Sequence, residues 1–540
     1  MEAAHQLCAA GRRDGPGGSR LGRARAVAEA LASPRTHSMT RLRTNIIASF
    51  VSRSWSALLA ILLVPTYIRF LGVEAYGVVG AFITVQALIS LLDLGFSATL
   101  TRALARSGEQ PSSPQEMRDL LRTIELLYWC MALAIVLGVS ALAPLAANHW
   151  LRLERLSAQT VTHAIAAAAI AFALQWPANL YAAGLAGLQR QVALGWITGV
   201  CGTLRGAAAI AAMWLIAPTL SVFFLAQAAV NALQTCALGI ALWQSMPAGS
   251  VGSRVRPQLV RSSLRFAGGM SGISLTSVVL TQFDKAILSR TLPLSAFGYY
   301  AIAGTLASGL YVVISPMFAA LFPKFSQLAA RGAEGPLESL YGISTQLLAS
   351  IILPCAAVMA LFSPEILQLW TGDLRIAQHS HLLLSLLVVG NLMNGLMNVP
   401  YALQLAHGWT MLALYANVVA ITVCAPLTYF LSKQLGALGG ALVWLMLTLA
   451  YLALSLPLMH RRLLRGRLTR WYTVDVGRPA LGALSVVLLA RLLLPLPSSR
   501  LAAAATLLFI TGCACTAAAL SSPDLRSRVL GRLTAQQAPG

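Results

Sequence analysis

Between residues 44 and 521 the sequence is a succession of apolar runs, each about 20 residues long and separated from the next by a short polar or basic connection. A run of that length crosses the ~30 Å hydrocarbon core of a bilayer as an α-helix, because a helix rises about 1.5 Å per residue and pairs its own backbone N–H and C=O groups. Fourteen spans are expected, at roughly 44–68, 75–99, 121–146, 159–182, 192–216, 219–243, 263–289, 296–322, 339–362, 381–405, 409–431, 436–459, 476–495 and 501–521. Composition points the same way: 57% hydrophobic residues, 10% charged residues and a mean hydropathy of +0.72 exclude a soluble chain of this size. The expected fold is an all-α polytopic membrane protein.

A net charge of +22 would suggest nucleic acid as a partner in a soluble protein, but here the basic residues sit between the apolar runs. With the N-terminus inside, 27 Lys and Arg fall on inner segments or, as Arg122 and Arg265 do, on the first residues of the span that follows, and 7 on outer segments. The positive-inside rule accounts for this bias, so it places both termini in the cytoplasm and excludes nucleic acid. The strongest inner contributors are Arg254, Arg256 and Arg261 before span seven with Arg265 at its start, and Arg461, Arg462, Arg465, Arg467 and Arg470 before span thirteen. Seven of the eight cysteines lie inside apolar runs and none forms a C-x-x-C, so they read as small packing residues. His379 and His381 have metal-like spacing without a third ligand nearby, and a loop role is expected for them.

Met1 to Ser38 holds six Arg with several Gly and Pro and has no apolar core of signal-peptide length, so it reads as an unstructured extension ahead of a natural start at Met39. The body divides into a first six-helix half at 39–243, a basic cytoplasmic linker at 244–262, a second half at 263–460, an extra helix pair at 461–521 and a cytoplasmic tail at 522–540. Two halves are suggested by an internal echo. Ala75-Tyr76-Gly77 after span one returns as Ala296-Phe297-Gly298 after span seven, 221 residues later, and Pro177 in span four returns as Pro400 in span ten, 223 residues later. Such a repeat is a transporter plan.

Polar groups at bilayer depth mark where function belongs, because a central charge costs about 2.5–3.5 kcal/mol even on lenient insertion scales. In span one Asn45, Ser49, Arg53 and Ser56 share a helical face, and in span seven Ser274, Ser277, Thr281 and Asp284/Lys285 repeat the arrangement. Two polar-faced helices opening the two halves suggest two walls of one cavity, with Arg205 in span five as a further cation. Asp284 and Lys285 could instead brace the bundle. Asp93 in span two shares a face with Ser90 and Ser97 and reads equally as a hydrogen-bond hub or a cation site. Glu125, a turn from Arg122, reads as an interfacial ion pair. Asn391, Asn394 and Asn398 form an i, i+3, i+7 stripe in span ten, either interhelical glue or cavity lining.

The opening hairpin carries a resemblance. Leu71-Gly72-x-x-x-Tyr76-Gly77, then Leu92-Asp93-Leu94-Gly95-Phe96, then Thr101-Arg102-x-Leu104-Ala105-Arg106 resembles the polysaccharide transporter family, the oligosaccharide-lipid flippases of the MATE-like superfamily. Gln282-Phe-Asp284-Lys285-Ala-Ile-Leu, followed by Gly298-Tyr-Tyr300-Ala-Ile-Ala, and Gly187-Leu-Gln189-Arg190 after span four extend the likeness from about Thr40 to His460. The resemblance implies a sugar repeat unit on an undecaprenyl diphosphate, turned from the cytoplasmic to the periplasmic leaflet of a bacterial inner membrane for O-antigen, capsule or exopolysaccharide synthesis. Arg53, Arg205 and Lys285, with Asn391 and Asn394, would line the cavity, while Asp93 and Asp284 would serve ion coupling or charge pairing. No cofactor is expected beyond H+ or Na+ coupling, and a polymerase and other assembly proteins are the expected partners. A cation-coupled drug antiporter would need acids in its cavity. A membrane polymerase or glycosyltransferase would need a sizeable outer loop, whereas the longest outer connection, 363–380, carries only Glu365 and Asp373 as acids.

Overall fold

The structure, a computed structural model, describes residues 52, 54–106, 114–247, 252–258 and 271–527. Residues 1–38, Arg53 and the tail beyond 527 therefore lie outside the described residues, as do parts of the linker. The described helices are α1 Ser54–Leu71, α2 Val73–Asp93, α3 Phe96–Arg106, α4 Pro114–Trp150, α5 Ala158–Gly187, α6 Gln191–Leu215 and α7 Leu220–Ser245. They continue as α8 Ser271–Thr291, α9 Leu294–Ala330, α10 Glu334–Leu361, α11 Ser363–Thr371, α12 Leu374–Ala406, α13 Met411–Leu435, α14 Ala437–Leu463, α15 Leu468–Leu493 and α16 Arg500–Ser521.

Thirteen of the described helices are long and apolar enough to cross a membrane. The remaining expected span is α8, 21 residues long but more polar because it carries Asp284, Lys285 and Arg290. Leu501 is 86% exposed, Leu492 81% and Trp214 75%. Apolar surface of that extent is a lipid-facing belt, since in water it would drive aggregation. The chain is a multi-pass membrane protein.

Two expected boundaries and one expected loop role are corrected. The second span does not run unbroken over 75–99: the helix tightens at Ser90–Asp93, and Leu94 (φ 46°) and Gly95 (φ 80°) then adopt left-handed backbone before α3 begins at Phe96. Gly95 takes this conformation without steric cost, whereas at Leu94 it is strained. The 363–380 connection is not an open loop, because α11 fills it and α12 starts at Leu374. His379 and His381 consequently sit in the opening turns of α12, where the His379 ring stacks on Tyr299 at 4.9 Å.

The internal echo corresponds to a symmetric contact between the halves. A Cβ added at Gly77 on α2 would lie 2.5 Å from the Leu294 carbonyl oxygen of α9, and one at Gly298 on α9 would collide with the Val73 carbonyl oxygen of α2. Both pairs are related by the same 221-residue offset, and a third, Gly80 against Ala301 at 2.9 Å, obeys it too. Small residues here let two backbones touch, which is how helices associate where no water is present to drive them together.

The two pieces of the interrupted second span join different bodies. While α2 packs on α9 of the second half, α3 packs on α5 within the first, where Thr101 Oγ1 donates to the Ala183 carbonyl at 2.9 Å. The described stretch of the linker, 252–258, folds onto the end of α4: Arg254 N–H donates to Asp119 Oδ1 at 2.8 Å, and the Arg256 guanidinium pairs with the same carboxylate at 2.8 Å.

The last two helices cover α10. Val487, Ala490, Leu507, Ile510 and Ala514 pack on Ala357, Val358 and Phe362. At the end of these helices Gln346 Nε2 donates to Asp475 Oδ1 at 2.8 Å and to Asp524 Oδ2 at 2.9 Å, and Arg470 pairs with Asp524 at 3.0 Å. Asp475 and Gln346 are fully buried, so a charged network seals this junction.

Hydrogen bonds between the halves cluster at the end that holds the α1–α2, α4–α5, α8–α9 and α11–α12 turns. Leu294 N–H donates to the Arg152 carbonyl at 2.9 Å, Ser295 Oγ donates to Glu154, and Trp150 Nε1 donates to Ser289 Oγ at 3.0 Å. The Glu74 carboxylate accepts from the backbone N–H groups of Glu154, Arg155 and Leu156, fixing the connection that reaches across. Trp370 on α11 donates to the Ile61 carbonyl of α1 at 3.1 Å.

Candidate substrate cavity

A cavity of about 430 Å³ opens inside the first half, walled by α1, α2, α5, α6 and α7, with Thr305 of α9 closing one side. Its existence follows from side-chain size on the facing helices. Gly202 of α6 and Ala60 of α1 leave space between the walls, Gly206 lets Leu63 of α1 pack close against α6, and Tyr67, Phe82, Phe172, Phe223 and Phe224 line what remains. These rings hold one another edge to face, Tyr67 on Phe223 at 4.9 Å and Phe82 on Phe224 at 5.3 Å, so the apolar wall is preorganised. Tyr76 and Thr305, one from each half, share a hydrogen bond of 3.2 Å at the cavity edge.

Arg205 is the charged side chain among the described lining residues, and no acid lines the cavity with it. It sits near the middle of α6, 14 residues from Gln191 and 10 from Leu215, so its guanidinium lies deep in the membrane. One terminal nitrogen donates to Gln234 Oε1 at 2.5 Å, while Nε is buried and has no partner. A buried cation with an amide neighbour and a spare N–H is short of negative charge. The remaining polar lining consists of Ser56, Gln86, Gln175, Thr198, Gln227 and Gln234.

Of the other candidates among the described residues, Lys285, Asp284, Asn391, Asn394 and Asp93 lie elsewhere. Lys285 does not line the cavity; its Nζ donates to the Thr281 carbonyl one turn back at 3.2 Å. Asp284 is buried, accepts from Tyr300 Oη at 2.6 Å on Oδ2, and leaves Oδ1 buried without a partner. The two neighbours on α8 therefore do not pair with each other. Asn391 accepts from Trp444 Nε1 at 3.0 Å and Asn394 from Tyr311 Oη at 3.0 Å, which puts both on helix–helix contacts of the second half rather than on the cavity wall. Asp93 sits at the helix break, where Ser97 Oγ donates to its Oδ1 at 2.7 Å and Tyr128 Oη donates to the same oxygen. Glu125 does pair with Arg122 at 2.8 Å, but it is also a buried hub that accepts from Tyr181 Oη at 2.6 Å and Trp243 Nε1 at 3.2 Å, joining α4, α5 and α7.

The two acids of the 363–380 connection have structural partners: Glu365 pairs with Arg491, and Asp373 caps α12 by accepting from Arg375 N–H at 2.8 Å. Among the described residues no group of three His, Cys, Asp or Glu side chains could hold a metal ion. The glutamines of the cavity are absent from the sequence candidates because attention to charge passes over neutral amides. Their signal is a Gln within an otherwise apolar span, as at Gln86, Gln175, Gln227 and Gln234.

Solved structures with the same arrangement are transporters. The chain is similar to a lipid II flippase MurJ in an inward closed conformation, with a TM-score of 0.67 and 12% identity, over 91% of this chain and 99% of that one. It is also similar to an inward-facing multidrug resistance MATE family transporter of the MOP superfamily, with a TM-score of 0.56 and 12% identity, over 77% and 96% of the two chains. At these identities the likeness establishes a shared fold. In sequence, 181 residues are 24% identical to a Shigella flexneri protein named "Putative O-antigen transporter", a match covering 33% of this chain and 42% of that protein's length. The family model described as polysaccharide biosynthesis protein matches residues 42–329, more than half of the chain. The chain therefore belongs to the polysaccharide biosynthesis protein family.

Proposed function

We propose that this protein moves oligosaccharides linked to a polyprenyl diphosphate from the cytoplasmic to the periplasmic leaflet of a bacterial inner membrane, by alternating exposure of the cavity in its first half. The observation that carries this reading is Arg205, a cation in mid-membrane with an unpartnered Nε, facing a cavity without an acid among the described residues. A diphosphate cannot cross hydrocarbon unescorted, because its unpaired charge would cost many kcal/mol. Charge-assisted hydrogen bonds from Arg205, supported by Gln234, replace its lost hydration. The same cation disfavours a drug antiporter, whose cationic cargo it would repel.

Both termini stay in the cytoplasm in this reading, supported by the basic residues at the ends of α14 and α15 and in the linker. An inside-negative potential assists outward movement of a negatively charged carrier by roughly 2.3 kcal/mol per charge per 100 mV. If H+ or Na+ is coupled to the cycle, Asp284 is the better supported carboxylate, since one of its oxygens is buried and unused while Asp93 is tied to Ser97 and Tyr128. The reading involves no covalent chemistry. The polymerase and the other assembly proteins act on the product after it has crossed.

The test is Arg205→Gln beside Arg205→Lys. Arg205→Gln should reach the membrane at normal amounts yet leave lipid-linked oligosaccharide in the cytoplasmic leaflet, with transport reduced about tenfold to hundredfold, the range for a lost charged hydrogen bond. Arg205→Lys should retain part of the rate. Normal transport by Arg205→Gln would remove the basis of the reading.

A further inference from the structure

We infer that the cavity is divided along the membrane normal into a charged mid-membrane seat and a deeper glycan-reading compartment, in which Gln227 selects the sugar. This rests on the proposed lipid-linked oligosaccharide as substrate and adds its orientation and the residue that determines specificity. The division begins with hydrogen-bond chemistry. Phosphate oxygens only accept, so one guanidinium and the amide N–H groups suffice for them, whereas a sugar hydroxyl both donates and accepts and needs acceptors in the wall.

The cavity supplies such an acceptor at Gln227, which makes no hydrogen bond among the described residues, so both ends of its amide are available. The other amide pair belongs to the charged seat: Gln86 Nε2 donates to Gln175 Oε1 at 3.4 Å, and Thr235 Oγ1, donating to the Leu174 carbonyl, holds this pair at the level of Gln234 and Arg205. A compartment for diphosphate alone would leave the Gln227 carbonyl facing an acceptor. The aromatic wall suits the same ligand, because the C–H faces of a pyranose pack on rings such as Phe82, Phe172, Phe223 and Phe224.

Depth follows from helix geometry. On α7 Phe223, Phe224, Gln227 and Gln234 recur at three- and four-residue intervals and share the face that lines the cavity. Gln234, beside Arg205, lies 14 residues from the start of the helix at Leu220, and Gln227 lies seven, about 10 Å nearer the end where the halves are joined. That end is closed by the Leu294–Arg152 and Trp150–Ser289 hydrogen bonds. A substrate seated with its diphosphate at Arg205 therefore places its first sugar between Arg205 and the closed end, and its prenyl tail remains on the other side.

The experiment measures binding to the full chain in detergent, using farnesyl diphosphate and a set of farnesyl diphosphates bearing glucose, galactose or N-acetylglucosamine. Wild type should bind its preferred sugar-bearing probe at least about tenfold more tightly than the sugar-free one, as expected for two neutral hydrogen bonds. Gln227→Leu should bring that preference to within about twofold while binding farnesyl diphosphate as wild type does. Gln227→Asn, which keeps the amide and guards against a leucine variant that fails to fold, should keep part of the preference. Arg205→Gln should weaken all probes by a common factor. A Gln227→Leu variant that retains the sugar preference, or that weakens the sugar-free probe equally, would overturn the division. Equal binding of all probes by wild type would end the glycan inference alone, whereas binding of none would end the flippase reading beneath it.

Discussion

Pro65 illustrates how one residue reaches across the molecule. Lacking an N–H, it cannot accept the role of fourth-residue donor to the Ile61 carbonyl, and α1 is interrupted beside it at Leu63. The freed carbonyl is taken by the indole N–H of Trp370, from the other half, at 3.1 Å. Trp370→Phe should therefore lower stability in detergent by about 1–2 kcal/mol, the cost of an orphaned buried acceptor. In a Pro65→Ala background, where the backbone N–H at position 65 is restored, Trp370→Phe should cost little. Thermal unfolding of the two single variants and the double variant measures the coupling, and additive losses would show that the indole and the proline act separately. The Trp370–Ile61 bond was not legible in the sequence, because a proline in a span announces a free carbonyl without naming its partner. Arg205 was legible, since a charge within an apolar run is conspicuous, but its glutamine neighbours come from α2, α5 and α7 and only folding assembles them.

At the scale of elements, the repeated Ala-aromatic-Gly after the first helix of each half is a contact surface. Gly77→Val and Gly298→Val should each destabilise the protein by about 1–3 kcal/mol, because a side chain there meets a backbone carbonyl that cannot swing aside. Gly138→Ala, with nothing within 4 Å of the added atom, should be neutral or slightly stabilising and serves as the control. Thermal denaturation in detergent decides it; equal effects at the three positions would mean that the α2–α9 approach carries no special constraint. The Leu92-Asp93-Leu94-Gly95-Phe96 stretch was visible as a motif yet read as continuous helix. Hydropathy is insensitive to backbone dihedral angles, and only the structure places a left-handed pair there, dividing a span between the two bodies it serves.

For the whole molecule, the hydrogen bonds joining the halves among the described residues gather toward one end, so the proposed transport cycle requires these to open. Replacing Glu154 and Ser295 by cysteine, at positions whose side chains touch across the halves, should allow a disulfide that stops movement of lipid-linked oligosaccharide. Reductant should restore it, and each single cysteine variant should transport at close to the wild-type rate. A cross-linked protein that still transports would exclude parting of the halves at this end. The extra helices α15 and α16 take no part in the cavity lining; they cover α10, 61% of whose apolar window is buried, against 22% for α4, the corresponding third span of the first half.

The sequence by itself determined the class and the existence of two related halves, because these depend on quantities that add along a chain: apolar length against bilayer thickness, and a recurrent motif. It also singled out Arg205, whose position in a span is a local property. Tertiary structure decided where the polar groups of different helices converge. It placed Arg205 with Gln86, Gln175, Gln227 and Gln234 around one cavity in the first half, and directed Asn391, Asn394 and Lys285 to bonds elsewhere. The physical reason is that helical periodicity gives the face a side chain occupies relative to its own helix. The neighbour that face meets is set by close packing of residues hundreds of positions apart, as at Gly77 and Leu294.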